Sequence, residues 1–143
     1  MIILEGIDKC GKSTYAAYLK QQIPDIEVIH FDKNSKMMQQ MLQWDLSKPV
    51  VFDRSFISEI CYGPVYRNKC KYTVPQIMQA FEFLKNKNAV IMYFKRDMCT
   101  VEFDTADEFE ANFNHLKKVK DNYEVCMQIA KAYKIPVYEV EYL

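Results

Sequence analysis

Residues 6–13 read Gly-Ile-Asp-Lys-Cys-Gly-Lys-Ser and fit the pattern G-x-x-x-x-G-K-[ST]. Each residue type in that order has a chemical task. Gly6 and Gly11 let the backbone curl so that its N–H groups point inward at an anion. Lys12 adds a positive point charge for the outer phosphates of a nucleoside triphosphate. The Ser13 hydroxyl can ligate Mg²⁺, and a helix starting there aims its positive end at the anion. The expected cradle for ATP is therefore Gly6, Ile7, Asp8, Lys9, Cys10, Gly11, Lys12, Ser13 and Thr14. Cys10 fills a small-residue slot, although a thiol there could be redox-sensitive.

A second constellation lies at residues 50–54, Val-Val-Phe-Asp-Arg. A buried apolar strand that ends in a carboxylate is the other half of a phosphate-loop site. Asp53 is a candidate to hold Mg²⁺, often through water. Arg54 can offer a two-pronged fork to a phosphate. Taken alone, the pair would also suit a surface ion pair at a strand end.

Positioning these groups requires strands that stop where the loops begin. Ile2, Ile3 and Leu4 form the first strand, and a helix should run from about Lys12 to Gln22, stopping before Pro24. Glu27–Phe31 reads as a second strand, Pro49–Asp53 as a third and Asn88–Phe94 as a fourth. Ser35 is placed to cap a short helix over Lys36–Asp45. A further helix should begin near Ser55 and be broken by Gly63-Pro64. Thr73 with Gln76, and Thr105 with Glu108, spell capping boxes for a helix to about Leu84 and a long helix to about Tyr133. Pro136–Tyr142 alternates as an edge strand does. This order of strands and helices predicts an α/β doubly wound parallel sheet, with ligands at the carboxyl ends of its strands.

The 143 residues suit one domain, 1–143, and half of them are hydrophobic. Lys and Arg number 19, as do Asp and Glu, so a broad nucleic-acid or membrane surface is not expected. A small phosphorylated molecule in a local basic pocket is the expected partner. The five cysteines are odd in number and lack C-x-x-C spacing, which suits reduced thiols in a cytoplasmic protein. A charged residue follows the first short apolar run, so no signal peptide is expected. His30 and His115 lack partners at metal-ligand spacing, and the methionines at helical spacing read as core.

The run Glu5-Gly6-x-Asp8-Lys9-x-Gly11-Lys12-Ser13-Thr14 resembles the E-G-x-D-x-x-G-K-[ST]-T loop of thymidylate kinases. Asp53-Arg54, followed by Ser58 and Tyr62, resembles their D-R-x-x-x-S-x-x-x-[YF] motif at the same spacing. The resemblance implies a three-layer P-loop NTPase fold with a five-stranded parallel sheet in the order 2-3-1-4-5. It implies transfer of the ATP γ-phosphoryl to a deoxynucleoside monophosphate. Asp8 would face the acceptor's 3′-hydroxyl or the transferring phosphoryl, and Arg54 would clamp the acceptor phosphate. Ser58 and Glu59 would meet the base edge, and Tyr62 would lie under the sugar. A dimer like those of the family is also compatible with a hydrophobic helix face.

Two departures from the family pattern, and one of the family's alternative arrangements, carry information. Glu59 stands where the family has an amide or small residue, which opens the choice of base. Lys9 lies inside the loop, while residues 95–108 are short and mainly acidic. The catalytic charge is then expected from Lys9, with Arg96 as the alternative. The segment between the second and third strands is shortened and lacks arginine. Lys33 is the candidate there for the acceptor phosphate, and Phe31 or Trp44 for stacking on the base, if they are not simply core. Arg67 and Lys69 could reach phosphate or form a solvated face. Two other readings stay open: a deoxyribonucleoside kinase with Asp53 as general base, and a non-catalytic nucleotide-binding module. The compact length suggests a minimal, viral version of the fold.

Overall fold

The computed structural model describes residues 1–7, 11–31, 36–44, 47–95 and 106–141, except for the side chains of 106–112. Five strands form one sheet: β1 (Ile2–Gly6), β2 (Glu27–His30), β3 (Val50–Asp53), β4 (Val90–Lys95) and β5 (Val137–Glu141). Every pairing is parallel, as the alternation predicts, and the order is β2-β3-β1-β4-β5, as the resemblance implies. The helices are α1 (Lys12–Gln22), α2 (Met37–Leu42), α3 (Phe56–Tyr66), α4 (Val74–Asn86) and α5 (Ala106–Ala132).

Alternation along the central strands divides the core in two. Ile3, Val50, Phe52, Ile91 and Tyr93 point to the face covered by α3, α4 and α5. Leu4, Val51 and Phe94 point to the other face, where Ala16 and Leu19 of α1 meet them. Central strands buried on both faces must be apolar throughout, which is why the third and fourth strands read so plainly. Helix α5 lays Val119, Tyr123, Cys126, Met127 and Ala130 on the sheet at helical spacing.

The capping box at Thr73 and Gln76 forms as predicted, each side chain bonding the other's backbone N–H. Two boundaries differ. Helix α2 is only Met37–Leu42, with Lys36 rather than Ser35 at its start, and Ser35 lies outside the described residues. Helix α3 is not broken at Gly63-Pro64 but continues to Tyr66. Pro64 lacks an N–H for the helix, yet the ladder resumes with Arg67 donating to the Gly63 carbonyl at 2.8 Å. Gly63 fits because a Cβ there would lie 2.7 Å from the Lys69 carbonyl oxygen and 2.8 Å from Glu59 Oε1. Thr105, the expected cap of α5, lies outside the described residues.

Candidate active site

Strands β1 and β3 lie side by side with Leu4 opposite Asp53, so both chains leave the sheet at one edge. From β1 the backbone enters the glycine loop. Gly11 adopts φ 91°, in the left-handed region, and caps α1 without a side chain in the way. No acidic residue occupies the first turn of α1, so its positive end remains available to an anion. Lys12 is buried, and its Nζ donates to the carbonyls of Gly6 at 3.0 Å and Ile7 at 2.8 Å. The ammonium is thereby held across the loop. Ser13 and Thr14 follow on the exposed first turn.

From β3 the chain presents Asp53, Arg54 and Ser55. The Asp53 carboxylate accepts from Ser13 Oγ at 3.2 Å and from His30 Nδ1 at 2.7 Å. A serine oxygen and a carboxylate oxygen form a hard donor set, which fits Mg²⁺ together with waters and phosphate oxygens. An open cleft of about 480 Å³ flanks this corner, lined by Ser13, Ala16, Ala17, Lys20, Glu27, Val28 and His30. Arg54 has φ 75°, a strained value for a non-glycine residue. Its N–H is tied to the Leu4 carbonyl at 3.0 Å, and its guanidinium carbon stands 5.5 Å from the centre of the Tyr62 ring. Ser55 then caps α3, its hydroxyl accepting from the Ile57 N–H.

Behind the corner lies a sealed cluster. Glu5 is fully buried and accepts from Ser55 Oγ at 2.5 Å, Ser58 Oγ at 2.6 Å and Tyr123 OH at 2.9 Å. Burial pushes the Glu5 carboxyl above its ordinary range, while the hydroxyl donors and the charge of Arg54 pull it back. Burial, with the Glu5 charge beside it, also raises the Tyr123 phenol. The cluster ties β1, α3 and α5 together.

No family model matches the chain, and no curated protein matches it in sequence. Solved structures do. YorR from Bacillus subtilis, solved with phosphorylated GDP, superimposes with a TM-score of 0.74 at 20% identity, covering 98% of this chain and 84% of that one. The deoxyadenosine kinase of M. mycoides with bound dCTP gives 0.59 at 17% identity, over 99% and 90% of the two chains. The thymidylate kinase of Candida albicans gives 0.57 at 16%, over 98% and 83%. The chain has the fold of the P-loop nucleotide kinases.

Within that P-loop fold the expected residues divide. Gly6, Ile7, Gly11, Lys12, Ser13, Asp53 and Arg54 come together at one sheet edge. Asp8, Lys9, Cys10, Lys33 and Arg96 lie outside the described residues. The Ser58 hydroxyl turns into the Glu5 cluster and also bonds Tyr123 OH at 3.1 Å. Glu59 is buried and used internally: Arg67 pairs with Oε2, and the Lys71 N–H donates to Oε1 at 2.9 Å. Phe31 and Trp44 both pack on Phe52, stacked at 5.3 Å and edge-on at 5.7 Å; Phe31 is buried, while Trp44 is half-buried and lines an open cleft with Glu27, Gln43 and Pro49.

Sequence reasoning missed two participants and left the role of a third open. His30 shows only as a strand-end histidine, and its bond to Asp53 depends on β2 pairing with β3 so that His30 lies opposite Asp53. Tyr123 carries no local signal in the sequence; α5 brings it over Glu5. Arg67, which could reach phosphate or form a solvated face, is paired with Glu59 at the end of α3.

Proposed function

We propose that the protein transfers the γ-phosphoryl of ATP to the 5′-phosphate of a deoxynucleoside monophosphate. The observation that carries this reading is the state of the described carboxylates near Arg54, which are Asp53, Glu5 and Glu59; Asp8 lies outside the described residues. A hydroxyl acceptor needs a general base. Asp53 is engaged by Ser13 and His30, Glu5 by three hydroxyls and Glu59 by Arg67. An acceptor phosphate is already ionised at neutral pH and needs no base, only a cation to hold it. Arg54, fixed at the strand end over Tyr62, supplies one.

The residues then act by position and charge. The loop N–H groups and Lys12 hold the donor phosphates. Ser13 and Asp53 would hold Mg²⁺, which supplies charge neutralisation on the transferring phosphoryl when bound. Lys9, inside the loop, supplies the further charge on that group, with Arg96 the alternative source, and Asp8 faces the acceptor sugar or the transferring phosphoryl. Lys33 assists at the acceptor phosphate, and Tyr62 lies under the sugar. The reading includes action in the cytoplasm on a free nucleotide, as a monomer or homodimer; no described helix is long and apolar enough to cross a membrane.

The similarity to a deoxyadenosine kinase keeps a second reading in view, with a nucleoside hydroxyl as acceptor. Coupled ADP release, measured across deoxynucleoside monophosphates, GMP and the matching nucleosides, separates the two. Turnover with monophosphates is expected. Turnover with nucleosides alone favours the second reading, and ATP binding without turnover on any acceptor favours a non-catalytic module.

A further inference from the structure

We propose that the base of the acceptor is held by an aromatic ledge on α3 and α5, with Tyr66 and His115 as its outer members. Stacking, not a hydrogen-bond pattern, would then hold the base, with little discrimination among bases. The proposal rests on the phosphotransferase reading above.

The ledge is a graded row of rings. Tyr123, fully buried, meets Tyr62 edge-on at 6.3 Å. Tyr62 carries the Arg54 guanidinium 5.5 Å from its ring centre. One helical turn on, Tyr66 stacks with Tyr62 at 5.9 Å and 21°. His115 of α5 meets Tyr66 edge-on at 5.2 Å and 68°. Tyr66 remains 46% exposed, so the row runs from sealed core to open surface. Tyr62, which carries the Arg54 guanidinium, and Tyr66 are about one turn of helix apart, about 5.4 Å of rise, so a phosphate on Arg54 leaves the outer ring of the row for the rest of the nucleotide.

The polar groups on the same helix leave little to read a base edge. The Ser58 hydroxyl is spent on Glu5 and Tyr123, and the Glu59 carboxylate on Arg67 and the Lys71 N–H. Phe31 and Trp44 are packed on Phe52. Among the described residues, the ring beside Arg54 is Tyr62, and Tyr66 and His115 continue the row from it. Every base has a face that such rings can take, so stacking tolerates all of them.

The test compares wild type with Tyr66→Ala, Tyr66→Phe and His115→Ala, using steady-state kinetics and thermal midpoints with each of four deoxynucleoside monophosphates. For wild type, kcat/KM should differ by less than roughly tenfold among the four bases. Tyr66→Ala should raise the KM for monophosphate roughly tenfold and leave the KM for ATP within a factor of about two. Tyr66→Phe keeps the ring and should behave as wild type. His115→Ala should shift the same constant in the same direction by less. An unchanged acceptor KM in Tyr66→Ala overturns the ledge, as does a Tyr66→Phe loss equal to that of Tyr66→Ala, or a preference of about 100-fold for one base. If wild type turns over no monophosphate, the phosphotransferase reading fails separately. The midpoints then decide the ledge: a rise with monophosphate that Tyr66→Ala abolishes supports it, and the absence of any rise overturns it.

Discussion

Glu5 and Asp53 stand at the carboxyl ends of neighbouring strands, both buried, and the protein surrounds them in opposite ways. Glu5 faces three hydroxyls from α3 and α5 that close over it. Asp53 faces the Ser13 hydroxyl on an exposed helix turn and the His30 ring, whose side chain is 62% exposed. Burial alone therefore does not mark an acid as part of the chemistry; the exposure of its partners does. Partners from packed helix faces make Glu5 a clasp between layers. Partners on the open edge leave Asp53 able to exchange a hydroxyl for a cation. Glu59 falls on the Glu5 side of this division, since Arg67 and the Lys71 backbone take both its oxygens.

The sharpest way to break the comparison is to remove each acid and watch which property fails. Asp53→Asn keeps size and an acceptor oxygen while removing the charge that would face the cation. Turnover should fall by roughly 10²–10³-fold while the unfolding midpoint moves little. Glu5→Ala leaves three hydroxyls without their acceptor and opens a void between layers. Stability should fall by about 3 kcal/mol, near 10 °C in the midpoint. Steady-state rates and thermal unfolding on both variants check this. If Glu5→Ala unfolds at the wild-type temperature but loses turnover, Glu5 belongs to the chemistry and the division fails.

How much of this the sequence shows follows from the range of the interactions. The glycine loop, Lys12, Ser13 and the strand-end Asp53-Arg54 are local patterns whose spacing is itself the chemistry. The parallel sheet follows from apolar strands alternating with capped helices, and its order from the resemblance to thymidylate kinases. The roles of Ser58 and Glu59 were not legible in the same way. Each lies on α3 at a position that faces either a ligand or a neighbouring element, depending on where distant segments arrive. Tyr123, 65 residues away in the chain, claims Ser58, and the turn after Pro64 returns Arg67 to Glu59. Gly63-Pro64 misleads for a related reason. As a dipeptide it spells a turn, but here the glycine gives room to Glu59 and the Lys69 carbonyl within a continuing helix.

That packing gives a second, smaller test. Gly63→Ala places a methyl group against the Lys69 carbonyl and the Glu59 carboxylate, and Arg67→Ala leaves Glu59 without its charged partner. Each should lower stability by about 2 kcal/mol, since Arg67 is partly solvated and backbone near the end of α3 can shift. Chemical denaturation measures the loss, and kcat of the folded fraction should stay within roughly threefold of wild type. A large drop in kcat with stability intact would move Glu59 to the Asp53 side of the comparison.

The finest distinction concerns protons. Burial raises the Glu5 carboxyl above its ordinary value of 4.5, with its hydroxyl bonds opposing the shift. An acid raised by folding holds its proton in the native state after the unfolded chain has released it. Its contribution to stability is then fully present below pH 4.5 and is lost as pH rises through the folded-state value. The hydroxyls of Ser55, Ser58 and Tyr123 can accept as well as donate, so the cluster tolerates the protonated form. Glu5→Gln has no such proton to lose. Urea unfolding of wild type and Glu5→Gln, repeated from pH 4.5 upward, should show wild type losing stability relative to the variant as pH rises, then levelling off. A difference that stays constant would mean that the clasp admits water. One that grows in favour of wild type would mean that the hydroxyl bonds outweigh burial and that Glu5, like Asp53, works as a charge.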